Sequence, residues 1–240
     1  MNRLYLIIDL LSVSVPLLYS FHPKIKFYRT WRSLFPAIFI TAIIFLTWDA
    51  IFTYKAVWGF STHYTIGISI SNLPFEEIFF FICIPYSCVF TYYCLNRFYK
   101  IEWADKTGKI ICLLFALSLL IAGFYFYDKL YTSVTFISTG ILLLFFKFIF
   151  RIKWLEKYFT VYLVMIIPFF IVNGILTGTG LKEPIVWYNN HENMDIRLWT
   201  IPAEDIIYGF EMILLNIFFY EYFNARPEKN HKNRIQDALS

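Results

Sequence analysis

Apolar residues run along this chain in blocks long enough to cross a bilayer, separated by short polar segments. A helix rises about 1.5 Å per residue, so about 17 to 20 predominantly apolar residues span the hydrocarbon. Such blocks lie at residues 4–20, 34–53, 75–95, 109–127, 131–149, 160–177 and 203–223. The pattern predicts an all-α membrane protein with seven transmembrane helices. The fourth block has no charge between Ile110 and Tyr127, whereas the first carries Asp9, three serines and Pro16.

The polar positions reveal a repeat. "NLPFEEIFFF" at 72–81 and "TIPAEDIIYGF" at 200–210 each place Pro, one spacer and two acids ahead of an apolar run. Setting Pro74 on Pro202, an offset of 128 residues, also sets Glu76 on Glu204, Glu77 on Asp205 and Asn96 on Asn224. Helices one to three and five to seven then form two units, with the fourth helix linking them. Four crossings separate helices three and seven, so they run the same way and the two three-helix repeats are parallel. The expected division is a first unit at 1–100, a linking helix at 101–128, a second unit at 129–226 and a tail at 227–240.

Composition and charge fix the setting. Hydrophobic residues make up 59% of the 240 and charged ones only 16%, a balance that no single soluble core of this size requires. Four basic residues fall after each of helices one, three, five and seven, sixteen of the 21 in the chain; the opposite side holds Arg3, Lys55, Lys129, Lys182 and Arg197. The positive-inside rule therefore predicts a cytoplasmic C-terminus and an outer N-terminus for a multi-pass protein of the inner, cytoplasmic membrane. The net charge of +4 reflects this topology, and nucleic acid is not an expected partner. A signal peptide is disfavoured by Asp9 inside the apolar run and by the lack of a small-residue cleavage site in the following "LLYSFHPK". The four cysteines sit in or beside apolar blocks, as small hydrophobes do, and suggest neither a disulfide framework nor a zinc site.

The acid pairs have two readings. Acids after a proline make a good helix start, where the macrodipole contributes about 0.3 to 1 kcal/mol. Burying an acid in a bilayer costs more, roughly 2.5 to 3.5 kcal/mol, so intramembrane acids are functional candidates. Asp49, Asn173 and Glu211 lie at similar depth, and Glu204, Tyr208, Glu211 and Leu215 share one face of helix seven by i, i+4, i+7, i+11 spacing. Such a stripe should line a bundle interior. Two adjacent carboxylates in a low-dielectric site repel, so one member is expected to stay protonated and to serve as a general acid. Protonating an alkene creates a carbocation, which aromatic faces stabilise. The candidate catalytic groups are Glu76, Glu77, Glu204, Asp205, Glu211 and Asp49. Candidate substrate-binding groups are Trp48, Trp58, Phe75, Phe79, Phe80, Asn173, Trp199 and Tyr208.

The doubled P-x-E-[ED] pattern, here "PFEE" and "PAED" at matched helix starts, resembles the membrane-integral lycopene cyclases, in particular the fused form of the heterodimeric bacterial type. The likeness covers essentially the whole chain. It implies isomerisation of lycopene to beta-carotene through gamma-carotene, with catalytic carboxyls at Glu76, Glu77, Glu204 and Asp205. No cofactor is implied: no Gly-rich dinucleotide fingerprint follows a strand, "GILTGTG" at 174–180 reads as a turn, and "HENMD" at 191–195 as an exposed loop. The expected partner is a lipophilic carotenoid entering sideways from the bilayer. A homo-oligomer, or association with other carotenoid enzymes, stays open. So do a related cyclase or hydratase with another product and a proton-coupled transporter, although Pro85 has no counterpart in helix seven, where Ile213 aligns. A retinal photoreceptor is disfavoured because helix seven contains no Lys.

Overall fold

A computed structural model describes residues 3–100 and 105–237. Among them are the α-helices α1 (Leu4–Ser20), α2 (Trp31–Tyr54), α3 (Phe75–Phe98), α4 (Asp105–Tyr125), α5 (Leu130–Leu144), α6 (Leu155–Leu176) and α7 (Ala203–Asp237). Six have the length and apolar character to cross a membrane, and α1 is a shorter apolar helix of 17 residues. The architecture is the expected one: seven helices, with two parallel three-helix units joined by α4. Residues 101–104 of the expected linking segment and 238–240 of the tail lie outside the described residues, as do the tail side chains from 226 onward.

One charged residue sits elsewhere than the loop count placed it. Lys147 is one of the four basic residues counted after the fifth helix, but α5 passes into a π-helical turn, Phe145–Ile149, that buries Lys147 against Glu156 of α6. The reason is that α6 begins at Leu155, ahead of its apolar block, and so presents a carboxylate to the buried ammonium. A buried charge needs such a partner.

Packing is driven by close fit, since lipid is as apolar as the side chains. α4 docks on α5 through Gly123 and Gly140; a Cβ at Gly140 would lie 2.8 Å from Leu120 Cγ and 3.0 Å from the Ala116 carbonyl. α1 packs along α3, and α2 along α7, around a core that includes Phe45, Phe81, Val89, Tyr158 and Leu214.

Short strands, which the apolar pattern does not announce, organise one end of the bundle. They are β1 (Trp58–Phe60), β2 (Ser69–Ile70), β3 (Leu73–Pro74), β4 (Val186–Tyr188), β5 (Arg197–Leu198) and β6 (Ile201–Pro202). β2 pairs with β3 and β5 with β6 in antiparallel hairpins that lead directly into α3 and α7. Each has a two-residue loop whose first position is left-handed, Ser71 at φ 57° and Trp199 at φ 60°. β1 pairs antiparallel with β4, with Gly59 opposite Trp187, and so ties the two units together. Those two residues are themselves related by the repeat offset, which centres the pairing on the approximate two-fold axis between the halves. The Trp187 ring lies directly over Gly59, where any Cβ would collide with it.

Candidate active site

The hairpins explain what the first acid of each pair does. The Ile66 N–H donates to Glu76 Oε1 at 2.5 Å, and the Met194 N–H donates to Glu204 Oε1 at 2.8 Å. Ile66 and Met194 are also related by the repeat offset. Beside these clips, the Phe75 N–H donates to the Ile68 carbonyl and the Ala203 N–H to the Ile196 carbonyl, each at 2.9 Å. Glu204 takes a second donor, the Thr132 hydroxyl of α5, at 2.5 Å. Glu76 and Glu204 are fully buried, and neither lines the cavity beside them. Their carboxyls fasten the incoming loop to the first turn of the helix.

Adjacent residues on a helix point about 100° apart, so the second acid of each pair turns inward. Glu77 and Asp205 both line one cavity of about 330 Å³. Glu77 accepts the hydroxyl of Tyr5 from α1. Asp205 accepts three donors: Tyr131 at 2.6 Å on one oxygen, and Tyr188 at 2.9 Å and Asn173 at 3.0 Å on the other. Burial, and then the neighbouring carboxyl of Asp205, hold the Tyr188 hydroxyl well above the usual phenol range, so it remains a donor. Asp49 enters from α2; its Oδ1 takes the Trp58 indole N–H at 2.6 Å, while its buried Oδ2 has no partner among the described residues.

Aromatic rings close the walls. Tyr208 lies edge-on to Phe45, Trp48 and Trp58, with ring centroids 5.1, 5.2 and 6.1 Å away. Trp58 meets Tyr131 edge-on at 4.9 Å, and Tyr131 stacks on Tyr188 at 6.0 Å. Trp58 and Tyr188 face each other across the β1–β4 pairing. The strands that join the halves therefore also roof the cavity. A box of π faces beside carboxyl groups suits a transient cation.

Of the residues singled out in the sequence, Asp49, Trp58, Glu77, Phe80, Asn173, Asp205 and Tyr208 line this cavity. Trp48 packs behind Tyr208. Glu211 is held by the Ser138 and Thr139 hydroxyls of α5 at 2.7 and 2.9 Å and lies off the cavity wall. Phe75 and Phe79 stack on each other at 6.2 Å outside the cavity. Trp199 occupies a hairpin loop and is 78% exposed. Sequence reasoning did not single out Tyr5, Tyr131 or Tyr188, which hold the inward acids. A separate alignment of the first helix of each unit would have matched Tyr5 with Tyr131. Within the "HENMD" loop, the Glu192 carbonyl and carboxylate accept the Tyr131 and Leu130 N–H groups, which fixes the start of α5.

A family model described as "Lycopene cyclase" matches residues 2–95 and 128–223. No curated protein and no solved structure matches the chain.

Proposed function

The chain belongs to the lycopene cyclase family, and from that premise we propose that it is a lycopene beta-cyclase, an isomerase that closes the acyclic psi ends of lycopene to give gamma-carotene and then beta-carotene. The observation that carries this reading is the shared cavity into which both units send carboxyls, Glu77 from α3 and Asp205 from α7 with Asp49 of α2 beside them, between aromatic walls. In the proposed reaction, Glu77 gives its proton to the terminal double bond of a psi end. The tertiary cation so formed is attacked by the internal alkene, which closes a six-membered ring and moves the positive charge onto a ring carbon. Asp205 removes a neighbouring proton, and the electron pair of that C–H bond becomes the ring double bond. One proton enters and one leaves, so the balance requires no redox partner.

The assignment of roles follows from hydrogen-bond valence. Among the described residues three donors and no acceptor are hydrogen-bonded to Asp205, the set that an ionised carboxylate satisfies. Glu77 meets one phenol and otherwise faces the cavity, where its proton can reach a hydrocarbon. Trp58, Tyr131, Tyr188 and Tyr208 screen the cation from water and stabilise it through their faces. The chain is a multi-pass membrane protein; in this reading it sits in the cytoplasmic membrane with its acid-bearing end outward, and substrate arrives from the lipid. Expression in a lycopene-accumulating host should yield bicyclic beta-carotene by pigment chromatography. Unchanged lycopene in cells that hold folded protein would overturn the proposal, and a hydroxylated product would replace it with a hydratase.

A further inference from the structure

Two polar atoms of the cavity wall have no task in the resting site. Five tyrosines line the cavity, and four of their hydroxyls donate to acceptors: Tyr5 to Glu77, Tyr131 and Tyr188 to Asp205, and Tyr162 to the Ile206 carbonyl. The fifth hydroxyl, that of Tyr208, is buried with no partner among the described residues, and so is Oδ2 of Asp49. Buried polar atoms are nearly always paired, and each exception calls for a reason. A hydrocarbon substrate offers neither atom a hydrogen bond, so binding is not the reason. The repeat sharpens the point: the counterpart of Tyr208 by the repeat offset is Phe80, which lines the same cavity without a hydroxyl.

Each ring closure leaves the site in the wrong state for the next. Glu77 has lost a proton and Asp205 has gained one, and both residues are buried. Asp49 is the one other carboxyl on the cavity wall among the described residues. An ionised oxygen buried without a donor is costly, so Asp49 rests as the neutral acid, with Oδ1 accepting the Trp58 N–H and the proton on Oδ2. Tyr208 stands between the groups that hold Asp49 and Asp205. Its ring centroid lies 6.1 Å from that of Trp58, which donates to Asp49, and 6.3 Å from that of Tyr131, which donates to Asp205. It also follows Asp205 by three residues on α7, a spacing that puts side chains on one face with Cβ atoms about 5 to 6 Å apart. All three carboxyls lie within electrostatic reach of its hydroxyl, and Glu77 lies within that of Asp49.

Resting on the cyclase reading, we propose that Asp49 and the Tyr208 hydroxyl form the return path by which the proton taken by Asp205 is passed back to Glu77, so that the site resets itself between ring closures. After a closure, Asp49 gives its Oδ2 proton to the carboxylate of Glu77 and is left ionised, held by the Trp58 N–H. A protonated Asp205 has become a donor and needs an acceptor, which the free lone pairs of Tyr208 Oη provide. Asp205 passes its proton to that oxygen as the Tyr208 proton moves to Asp49. Each O–H bond broken is matched by one formed, and all four groups return to their starting states. Asp49 and Tyr208 hand no proton to the substrate; they act through Glu77 and Asp205.

The test is the full chain in membranes, supplied with lycopene and quenched at short and long times, with rings formed per folded chain counted by pigment chromatography. The first ring uses the proton already on Glu77, whereas later rings need the return path. Asp49→Asn keeps a neutral side chain and an acceptor for Trp58, and Tyr208→Phe deletes only a hydroxyl that has no partner among the described residues. In each variant the rate of later rings should fall by about tenfold or more, since slow exchange with water replaces a placed proton carrier whose full contribution is about 10²- to 10⁴-fold. The first ring should slow by a smaller factor. The double variant should be no slower than the slower single one, because both changes break the same path. Later rings at the wild-type rate, equal slowing of both phases, or losses that multiply in the double variant overturn the proposal and leave the cyclase reading standing. Should Asp49→Asn not accumulate as folded protein, Tyr208→Phe decides by the same ratio of phases. A wild-type chain that leaves lycopene untouched removes the parent reading, and this one with it.

Discussion

In the first half Glu76 takes one backbone N–H and Glu77 takes one hydroxyl, that of Tyr5. In the second half Glu204 takes the equivalent N–H plus the Thr132 hydroxyl, and Asp205 takes Tyr131, Tyr188 and Asn173. The frame is shared, down to hairpins with a left-handed residue at the same loop position. The load on the inward acid is not. Much of the difference lies at one pair of equivalent residues, Phe60 and Tyr188, both on the cavity wall, of which only the tyrosine can donate a hydrogen bond. Acid–base catalysis uses two groups whose surroundings push their protonation apart. Duplication provides two carboxyls in register, and divergence of their donors makes them unlike.

The largest expected effect comes from removing the inward acids. Glu77→Gln keeps the shape of the side chain and loses the transferable proton, so cyclisation should fall by about 10²- to 10⁴-fold, the usual contribution of a positioned acid or base. Asp205→Asn should fall by a similar factor, because the amide cannot accept the departing proton. Initial rates on lycopene, in samples matched for folded protein, check both. If either variant keeps more than about a tenth of wild-type activity, the shared-cavity mechanism is wrong for that half.

A smaller effect sharpens the comparison directly. Tyr188→Phe gives the second half the residue of the first and removes one of the three donors from Asp205. A hydrogen bond to a charged group contributes about 1.5 to 3 kcal/mol, and Tyr131 and Asn173 remain to share the load. Activity should therefore drop by roughly tenfold rather than vanish. The reciprocal change, Phe60→Tyr, adds a donor at the equivalent place beside Glu77 and should also slow the reaction, since it stabilises the ionised form of the group that the proposed mechanism requires to hold a proton. A Phe60→Tyr variant faster than wild type would reverse the assignment of acid and base.

The helices were legible because the bilayer demands long apolar runs and tolerates little else. The acid pairs were legible because a polar cluster that interrupts such a run twice at one offset is conspicuous. Which member of each pair faces inward was not: the choice depends on N–H groups ten residues upstream, in loops whose strands span only two or three residues. The offset also changes along the chain. Tyr5 and Tyr131 are related by 126 residues and the acid pairs by 128, so an alignment locked to the acids slides past the tyrosines that serve them. The stripe expected on one face of α7 is divided in the structure: Tyr208 reaches the cavity, while Glu211, less than one turn further on, is captured by Ser138 and Thr139. Side-chain reach and neighbouring hydroxyls decide such outcomes, and periodicity does not report them.

The smallest expected effect on chemistry comes from the outward acids, and it separates two roles that the sequence leaves merged. Gln at position 76 or 204 retains an oxygen for the upstream N–H, so Glu76→Gln and Glu204→Gln should keep activity within about threefold of wild type while weakening a charge-assisted bond to a neutral one, a loss of about 1 kcal/mol. Glu204 holds two donors on the same oxygen, one of them from α5, whereas Glu76 holds one. Thermal unfolding in detergent should therefore show Glu204→Gln as the less stable of the two, with the difference abolished when Thr132→Val is added to both. Equal melting temperatures would mean that the Thr132 contact contributes nothing. Abolished cyclisation in either variant would return the outward acids to the reacting centre, because a loop clip alone cannot account for a loss of catalysis in a protein that stays folded.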